Sequence, residues 1–249
     1  MNVRLLVEYD GSGFSGWQLQ VGRRTVEAEL RRAIRELTGE EPALHAAGRT
    51  DAGAHAEGQV ASFRYGGRPS ADRLAGALNA HLPADVVVLQ AAEAPEDFHA
   101  RYSARWRRYR YRFLDRRARP TLDRGRCWHV RAALDVPAMA EAAGALVGGH
   151  DWTTFCAASE PAEDRVREVR EARITRCGRF VELEILGRGF LRGQVRGVAG
   201  ALAEVGRRRR PPAWLAEILG ARDRSRAPRT APAAGLTLVA VLYEEPTDE

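Results

Sequence analysis

Two kinds of apolar spacing take turns along the chain, and their order restricts the folds that it can adopt. Short runs typical of β-strands occupy residues 3–9, 43–47, 59–65, 86–90, 106–114, 127–130, 166–175, 181–185 and 236–243. Runs with apolar residues three and four apart, typical of amphipathic helices, occupy residues 25–39, 70–83, 135–147, 191–205 and 212–219. The first half therefore predicts the order β-α-β-β-α-β, and the second half predicts the same order with extra short elements.

This repeated order predicts an α+β (mixed α/β) fold of two split β-α-β, ferredoxin-like halves with predominantly antiparallel sheets. The boundary is predicted near Ala104, which gives an N-terminal half of residues 1–104 and a C-terminal half of residues 105–249. A chain of 249 residues with 45% hydrophobic residues can bury a core in each half. Because this architecture hosts many functions, the function has to be argued from particular residues.

The stretch Ala46–Val60, A-A-G-R-T-D-A-G-A-H-A-E-G-Q-V, is the strongest candidate for chemistry. Gly48 and Gly53 bracket Arg49 and Asp51 between two predicted strands. Glycine permits the positive φ angles or the close backbone approach that a tight turn requires. A carboxylate on such a turn, with a guanidinium two residues earlier, is a candidate nucleophile or base. The residues alone also fit an ordinary surface turn with an ion pair.

The basic residues of the chain are all arginines. The formal charge is +6 and none of the 39 basic residues is a lysine, which excludes a Schiff-base lysine and a P-loop lysine. Arginine makes bidentate contacts with phosphate and stacks on bases, so a polyanionic partner is one explanation. Genome composition or a hot habitat explains the same bias.

Eleven arginines are concentrated between residues 101 and 126, at positions 101, 105, 107, 108, 110, 112, 116, 117, 119, 124 and 126. Like charges this crowded repel one another, which predicts a phosphate-rich partner such as RNA. A solvated strand face is the alternative. The predicted ligands of the RNA backbone are the arginines of the aromatic strand 106–114, namely Arg107, Arg108, Arg110 and Arg112. A second block, Arg207–Arg210, fits either phosphate binding or an exposed helix end.

Two other nucleotide-binding architectures fit the sequence less well. The run G-R-G-F-L-R-G at 187–193 resembles a dinucleotide loop, but its third glycine is one place late and the neighbouring strands are predicted to be antiparallel. A non-catalytic RNA-binding module of ferredoxin-like fold is the better alternative, because Tyr109 and Tyr111 could stack on bases. That module, however, lacks an aromatic-rich RNP1 sequence here and leaves the loop at Asp51 without a role.

The sequence offers no metal site, disulfide framework or membrane segment. Cys127, Cys156 and Cys177 are far apart and odd in number, and the six histidines show no ligand spacing. No apolar run approaches the roughly 20 residues of a membrane span. The N-terminus has no apolar signal-peptide region, which predicts a cytoplasmic protein.

The glycine-bracketed loop is similar to the signature of one enzyme family, the tRNA pseudouridine synthase A family. Further motifs of that family follow in the same order along nearly the whole chain. Three positions depart from the family pattern without removing a reactive group: Ala54 replaces Val, Trp152 replaces Phe, and Gln194 replaces Met. The motifs are Tyr9-Asp10-Gly11, Gly16-Trp17-Gln18, Gly48-Arg49-Thr50-Asp51-Ala52-Gly53-Ala54-His55-Ala56, Ala77-Leu78-Asn79, Leu82-Pro83, Phe98-His99-Ala100-Arg101, Arg108-Tyr109-Arg110-Tyr111, Gly149-His150-Asp151, Phe190-Leu191, Val195-Arg196, Ala231-Pro232 and Gly235-Leu236.

The resemblance implies an enzyme that isomerises uridines 38, 39 and 40 in the anticodon arm of tRNA to pseudouridine, without a cofactor. It implies that Asp51 is the catalytic residue and that Tyr109 holds the base after it leaves the stack. Arg196 is expected to lie beside the catalytic carboxylate, and Arg49 is expected to grip the backbone of the flipped nucleotide. The resemblance also implies a homodimer and a central cleft at which the two halves meet.

Overall fold

The computed structural model describes residues 1–66, 68–160 and 163–246, and in them the chain forms ten strands and five α-helices. The strands are β1 (Asn2–Tyr9), β2 (His45–Ala46), β3 (His55–Arg64), β4 (Val86–Glu93), β5 (Trp106–Asp115), β6 (Trp128–Val130), β7 (Gly148–Asp151), β8 (Val166–Cys177), β9 (Phe180–Gly187) and β10 (Leu236–Leu242). The helices are α1 (Val26–Thr38), α2 (Ala71–Asn79), α3 (Val136–Gly144), α4 (Gln194–Gly206) and α5 (Ala213–Gly220).

The chain divides into two compact units. The first comprises Met1–Arg107 together with the chain from Leu238 onward, and the second comprises Arg108–Thr237. Strands β5 and β10 therefore each contribute residues to both units. The domain division at residue 104 stays a prediction.

The first unit is a sheet with two α-helices, in which the pairs β1–β3, β1–β4 and β2–β3 are antiparallel. Its strand order is β4-β1-β3-β10, with β2 paired to β3. The helix α1 begins where the Thr25 side chain accepts a hydrogen bond from the backbone N–H of Ala28, and it ends at Gly39, whose φ is 75°. Leu30 and Ile34 of this helix are completely buried in the core of the unit.

The second unit has the strand order β5-β9-β8-β7, with β6 parallel to β5. The pairs β7–β8 and β8–β9 are antiparallel. The side chain of Asp135 caps α3 by accepting from the N–H of Ala138. Helix α4 is the most deeply buried element of this unit, with most of its 13 residues inaccessible to solvent.

The mixed α/β architecture with mostly antiparallel strand pairing is confirmed, and so is the order of elements in the first half. The structure differs locally from the predictions. Helix α4 begins at Gln194, after Leu191, because Gly193 has a φ of 74° and cannot belong to a right-handed helix. Gly148 and Gly149 do not simply end α3, which stops at Gly144, but form strand β7 by pairing with β8.

None of the helices in the described part of the chain combines the length and the apolar character that a membrane span requires.

Candidate functional site

The loop between β2 and β3 carries Asp51, and the residue before it is firmly held. The Thr50 hydroxyl lies 2.7 Å from the hydroxyl of Tyr9, in a buried hydrogen bond. The Thr50 carbonyl accepts from the N–H of Trp17 at 3.1 Å. Thr50 is 7% exposed, so both its polar groups are satisfied inside the protein. The backbone on the N-terminal side of Asp51 is therefore fixed by two separate segments.

Glycines allow the segment 10–17 to lie directly against this loop. A Cβ on Gly16, whose φ is 95°, would stand 2.8 Å from the Thr50 carbonyl oxygen. A Cβ on Gly11 would collide with the carbonyl oxygen of Ala54. Only glycine is compatible with such backbone contacts. The motifs near residues 9–18 and 48–56 thus belong to one packed structure.

The start of the loop is held by the side chains of Gln59 and Arg107. The Gln59 side chain donates to the Gly48 carbonyl oxygen at 2.6 Å. The Arg107 guanidinium donates to the Ala47 carbonyl oxygen at 3.0 Å and to the Arg101 carbonyl oxygen at 2.8 Å. The sequence predicted Arg107 as a ligand of RNA phosphate and did not reveal this anchoring contact, because its partners are backbone atoms.

The two charged groups of the loop differ in exposure. Asp51 is half-buried, and its carbonyl oxygen accepts from the N–H of Ala54 at 3.0 Å, which closes a tight turn. Arg49 is exposed, and among the described residues no carboxylate or hydrogen-bond acceptor pairs with its guanidinium. The loop therefore presents a carboxylate on a rigid turn and an accessible cation two residues away.

In the second unit, Tyr109 lies on β5 with its ring against Phe190. The ring centroids are 5.2 Å apart and the planes cross at 87°, an edge-to-face contact. A Cβ on Gly187 would stand 2.8 Å from the Phe190 ring, so this glycine makes room for the phenyl group. The sequence analysis placed Phe190 in a family motif but did not predict its contact with Tyr109. The sequence feature that could have indicated this contact is the glycine-rich segment 187–193, because Gly187 makes room for the Phe190 ring beside Tyr109.

Arg196 lies in the first turn of α4 and is tied to the segment before β10. Its Nε donates to the Ala231 carbonyl oxygen at 2.8 Å, and its own carbonyl oxygen accepts from the Ala231 N–H at 3.1 Å. Tyr111 donates to the neighbouring Pro232 carbonyl oxygen at 2.8 Å. Burial raises the pKa of Tyr111, and the charge of Arg196 partly offsets this rise. The phenol of Tyr111 is therefore neutral and structural.

Gln194, where the family pattern has Met, fixes the segment that carries Phe190. Its side-chain oxygen accepts from the N–H of Leu191 at 2.8 Å. Its amide nitrogen is buried and finds no hydrogen-bond partner in the part of the chain that the structure describes. The substitution thus adds one backbone hydrogen bond at the start of α4 and leaves one donor unsatisfied, which costs stability.

The remaining arginines of β5 face carboxylates of β8 and β9. Arg112 Nε lies 2.6 Å from an oxygen of Glu182, and Arg110 Nε lies 3.9 Å from the same oxygen. Arg108 lies 3.7 Å from Glu171. Phosphate binding by these three side chains, which stays a prediction, has to compete with their ion pairs.

Two double variants separate the phosphate-binding role of these arginines from a structural one. Replacing Arg108 and Arg110 by Gln is expected to weaken RNA binding and to lower the log–log salt slope by about 0.7–0.9 for each phosphate that is no longer neutralised. Replacing Arg107 and Arg112 by Gln is expected to lower the unfolding free energy by about 1–3 kcal/mol, because Glu182 and three backbone carbonyls lose charged donors. Salt titrations of binding and thermal unfolding measure the two effects. An unchanged slope in the first variant would assign Arg108 and Arg110 to the fold.

No group of three or more His, Cys, Asp and Glu side chains that could hold a metal ion occurs within residues 1–66, 68–160 and 163–246.

Comparison with known proteins adds an independent observation. The family model described as tRNA pseudouridine synthase matches residues 5–103 and 142–244. The tRNA pseudouridine synthase A of Moorella thermoacetica is 45% identical over 243 residues, 97% of this chain and 99% of that protein. The enzyme of the same name from Paramagnetospirillum magneticum is 46% identical over 241 residues, 96% of this chain and 94% of that protein. That of Maricaulis maris is 45% identical over 244 residues, 98% of each chain.

Among solved structures, a chain of a Cbf5-Nop10-Gar1 complex matches with a TM-score of 0.33 and 12% identity, over 80% of this chain and 54% of that one. This similarity is too low to establish a shared fold.

Proposed function

This chain belongs to the tRNA pseudouridine synthase A family, and from that premise we propose that it converts uridines 38, 39 and 40 of the tRNA anticodon arm to pseudouridine. Membership makes the protein an isomerase that modifies tRNA. One observation supports the specific reaction at the anticodon arm. Asp51 is half-buried on a turn that is held from both sides, and it lies inside the family's signature segment. A carboxylate placed in this way suits covalent or acid–base work on a base.

We assign the reaction to Asp51 as follows. The carboxylate attacks either C6 of the base or C1′ of the ribose, and the glycosidic bond between N1 and C1′ breaks. The base turns, C5 bonds to C1′, and the bond between Asp51 and C6 or C1′ breaks, which restores the free carboxylate. C5 loses its proton and N1 gains one. The product is an isomer of the substrate, so the atoms balance without any external oxidant, reductant or cofactor.

The base has to leave the stack before its glycosidic bond is accessible. Flipping costs a few kcal/mol, and stacking on one aromatic ring returns roughly 1–3 kcal/mol. We propose that Tyr109 provides this stacking, because the edge contact with Phe190 holds its ring in one orientation. Contacts of arginines with phosphate supply the rest of the free energy that base flipping costs.

Two further arginines have proposed roles in the same reaction. Arg49 is exposed two residues from Asp51, which suits a contact with the phosphate next to the flipped nucleotide. Arg196 is tied through Nε to the Ala231 carbonyl oxygen, which orients its guanidinium. The role proposed for Arg196 is to stabilise the catalytic carboxylate in its ionised form.

The homodimer, which the resemblance to the family implies, belongs to this proposal, and so does the cytoplasmic location. The RNA-backbone contacts of Arg107, Arg108, Arg110 and Arg112 belong to it as well. Of these four, Arg107 and Arg112 also make close contacts inside the protein, and phosphate binding by them has to compete with these contacts.

The proposal is tested with tRNA tritiated at C5 of uridine. Three transcripts are compared, each carrying its labelled anticodon-arm uridine at only one of positions 38, 39 and 40. We expect release of tritium to water from each, since the proton at C5 is lost in every turnover. A protein that binds all three transcripts and releases no tritium would be an RNA-binding module instead. Tritium release from only one or two of the transcripts would limit the modified positions to those uridines, and the proposed reaction would stand.

A further inference from the structure

Four consecutive arginines follow the last turn of α4, and we call Arg207–Arg210 the 207–210 patch. The patch borders an open groove of about 380 Å³. Arg208, Arg209 and Arg210 line the groove together with Pro211, Pro212 and Asp135. All these residues lie in the second unit, and none has a role in the reaction proposed above.

Arg208 occupies a backbone position where glycine would be easier to accommodate. Its φ of 58° lies in the left-handed region, just after the end of α4. This position usually holds glycine, because a Cβ is strained there. The Arg208 side chain is 81% exposed and makes a surface ion pair with Asp135 at 3.0 Å, an interaction that contributes little to stability. Stability of the fold therefore does not explain an arginine at residue 208.

The capping of α3 does not need Arg208 either. Asp135 caps that helix through Oδ1, which accepts from the Ala138 N–H, whereas Arg208 contacts Oδ2. The dipole of α4 favours a positive charge at the C-terminal end of the helix, which accounts for Arg207 at the C-cap position, but this effect falls off at the residues that follow. Neither the capping of α3 nor the dipole of α4 therefore explains Arg208, Arg209 and Arg210.

The patch carries more positive than negative charge. Arg207 and Arg209 share one carboxylate, Glu204, each at 3.3 Å. Arg208 has Asp135. No carboxylate within residues 1–66, 68–160 and 163–246 lies in ion-pair distance of Arg210, whose guanidinium is 5.2 Å from the Trp214 ring centre. The net excess of positive charge at an open groove suits a polyanion.

Two tryptophans orient the outer members of the patch. Arg207 lies 5.1 Å over the ring of Trp128, and Arg210 lies over Trp214. Stacking on an aromatic ring holds the guanidinium plane while its N–H groups stay available to an acceptor. Planar, oriented guanidiniums match the oxygens of a phosphodiester better than flexible ammonium groups do.

We propose that the 207–210 patch, at the opposite end of α4 from Arg196, binds backbone phosphates of the RNA substrate. The inference rests on the proposed function, which makes RNA the substrate, and it adds a second contact region to the loop at Asp51. Arg208, Arg209 and Arg210 contribute affinity and register on the RNA, and they take no part in the reaction itself.

The test is a triple variant with Arg208→Gly, Arg209→Gln and Arg210→Gln. We expect its log–log salt slope for tRNA binding to fall by about 0.7–0.9 for each phosphate that the patch no longer neutralises, and its affinity at low salt to fall at least about tenfold. The single-turnover rate of tritium release at saturating RNA should be unchanged. The unfolding midpoint should not decrease, because Arg208→Gly removes backbone strain.

Arg222→Gly is the matched control. Arg222 also has a left-handed φ, 51°, lies in the same unit, and faces Asp151 at 3.9 Å. This variant removes one positive charge and one left-handed non-glycine residue, as Arg208→Gly does within the patch, so its salt slope should equal that of the parent protein. Arg210→Gln, which breaks no ion pair, tests the patch again if the triple variant folds poorly.

Two results would overturn the inference: an unchanged slope in the triple variant, or an equal loss per charge in Arg222→Gly. A parent protein that binds tRNA but releases no tritium would refute the proposed function, while the comparison of slopes would still decide whether the patch binds RNA.

Discussion

Replacing Asp51 by Asn is expected to reduce pseudouridine formation by at least about 10⁴-fold, the scale of loss that follows removal of a catalytic group. The amide has nearly the shape of the carboxylate but is a poor nucleophile and carries no charge. Affinity for tRNA should stay within a few fold of the parent, because arginines supply the binding free energy. Tritium release in single-turnover experiments measures the first effect, and a binding titration measures the second.

The structure offers a control for this substitution. Asp97 is an exposed aspartate of the same unit, outside the loop at residues 47–54. Asp97→Asn removes the same charge and should leave the rate of tritium release unchanged. The packing around Thr50 and Gly53 should keep the Asp51→Asn variant folded, which thermal unfolding verifies. Appreciable tritium release by a folded Asp51→Asn protein would remove Asp51 from the catalytic role.

The parts of the fold that could be predicted are those specified by nearby residues. Helix α1 begins at a Thr25 cap and ends at a glycine with left-handed φ, and both signals lie within one turn of the helix end. The order of elements in the first half follows from such local patterns. Predicting this order does not require knowing which strands pair with one another.

The parts that could not be predicted depend on contacts distant in sequence. Gly148 and Gly149 resemble a helix stop, and only pairing with β8 makes them a strand. Arg112 belongs to a strand with alternating charge, but its partner Glu182 is 70 residues away. A local pattern shows that a strand has a cationic face and does not show whether a neighbouring strand supplies the carboxylates.

The candidate site also contains residues that the local sequence indicated and residues whose role depends on contacts distant in sequence. The glycines of the loop and the family motifs indicated Asp51, because reactive residues keep a characteristic spacing in sequence. The groups that hold the loop, such as Tyr9 on Thr50 and Arg107 on the Ala47 carbonyl, act on hydroxyl or backbone atoms. These partners have no residue-type signature, so sequence reasoning gave Arg107 another role.

Tyr109 is proposed to stack on the flipped base, and a second hypothesis is that its hydroxyl assists removal of the proton from C5. Two substitutions distinguish these tasks. Tyr109→Phe keeps the ring and its edge contact with Phe190 but loses the hydroxyl. If the hydroxyl assists proton removal, the single-turnover rate of tritium release should fall roughly 10²- to 10⁴-fold with binding nearly intact. A base already joined through carbon but still carrying its C5 hydrogen should then accumulate.

Tyr109→Leu should lose the hydroxyl and the stack together. The loss of stacking removes roughly 1–3 kcal/mol from binding of the flipped base, in addition to the loss of rate. Phe190→Leu is the control, because it removes the edge contact and leaves the Tyr109 side chain in place. The edge-to-face contact contributes about 0.5–1.5 kcal/mol, so this control should lower stability and affect the rate far less than Tyr109→Leu. A Tyr109→Phe protein that releases tritium at the parent rate would limit Tyr109 to stacking, and the base that takes the C5 proton would then be another group.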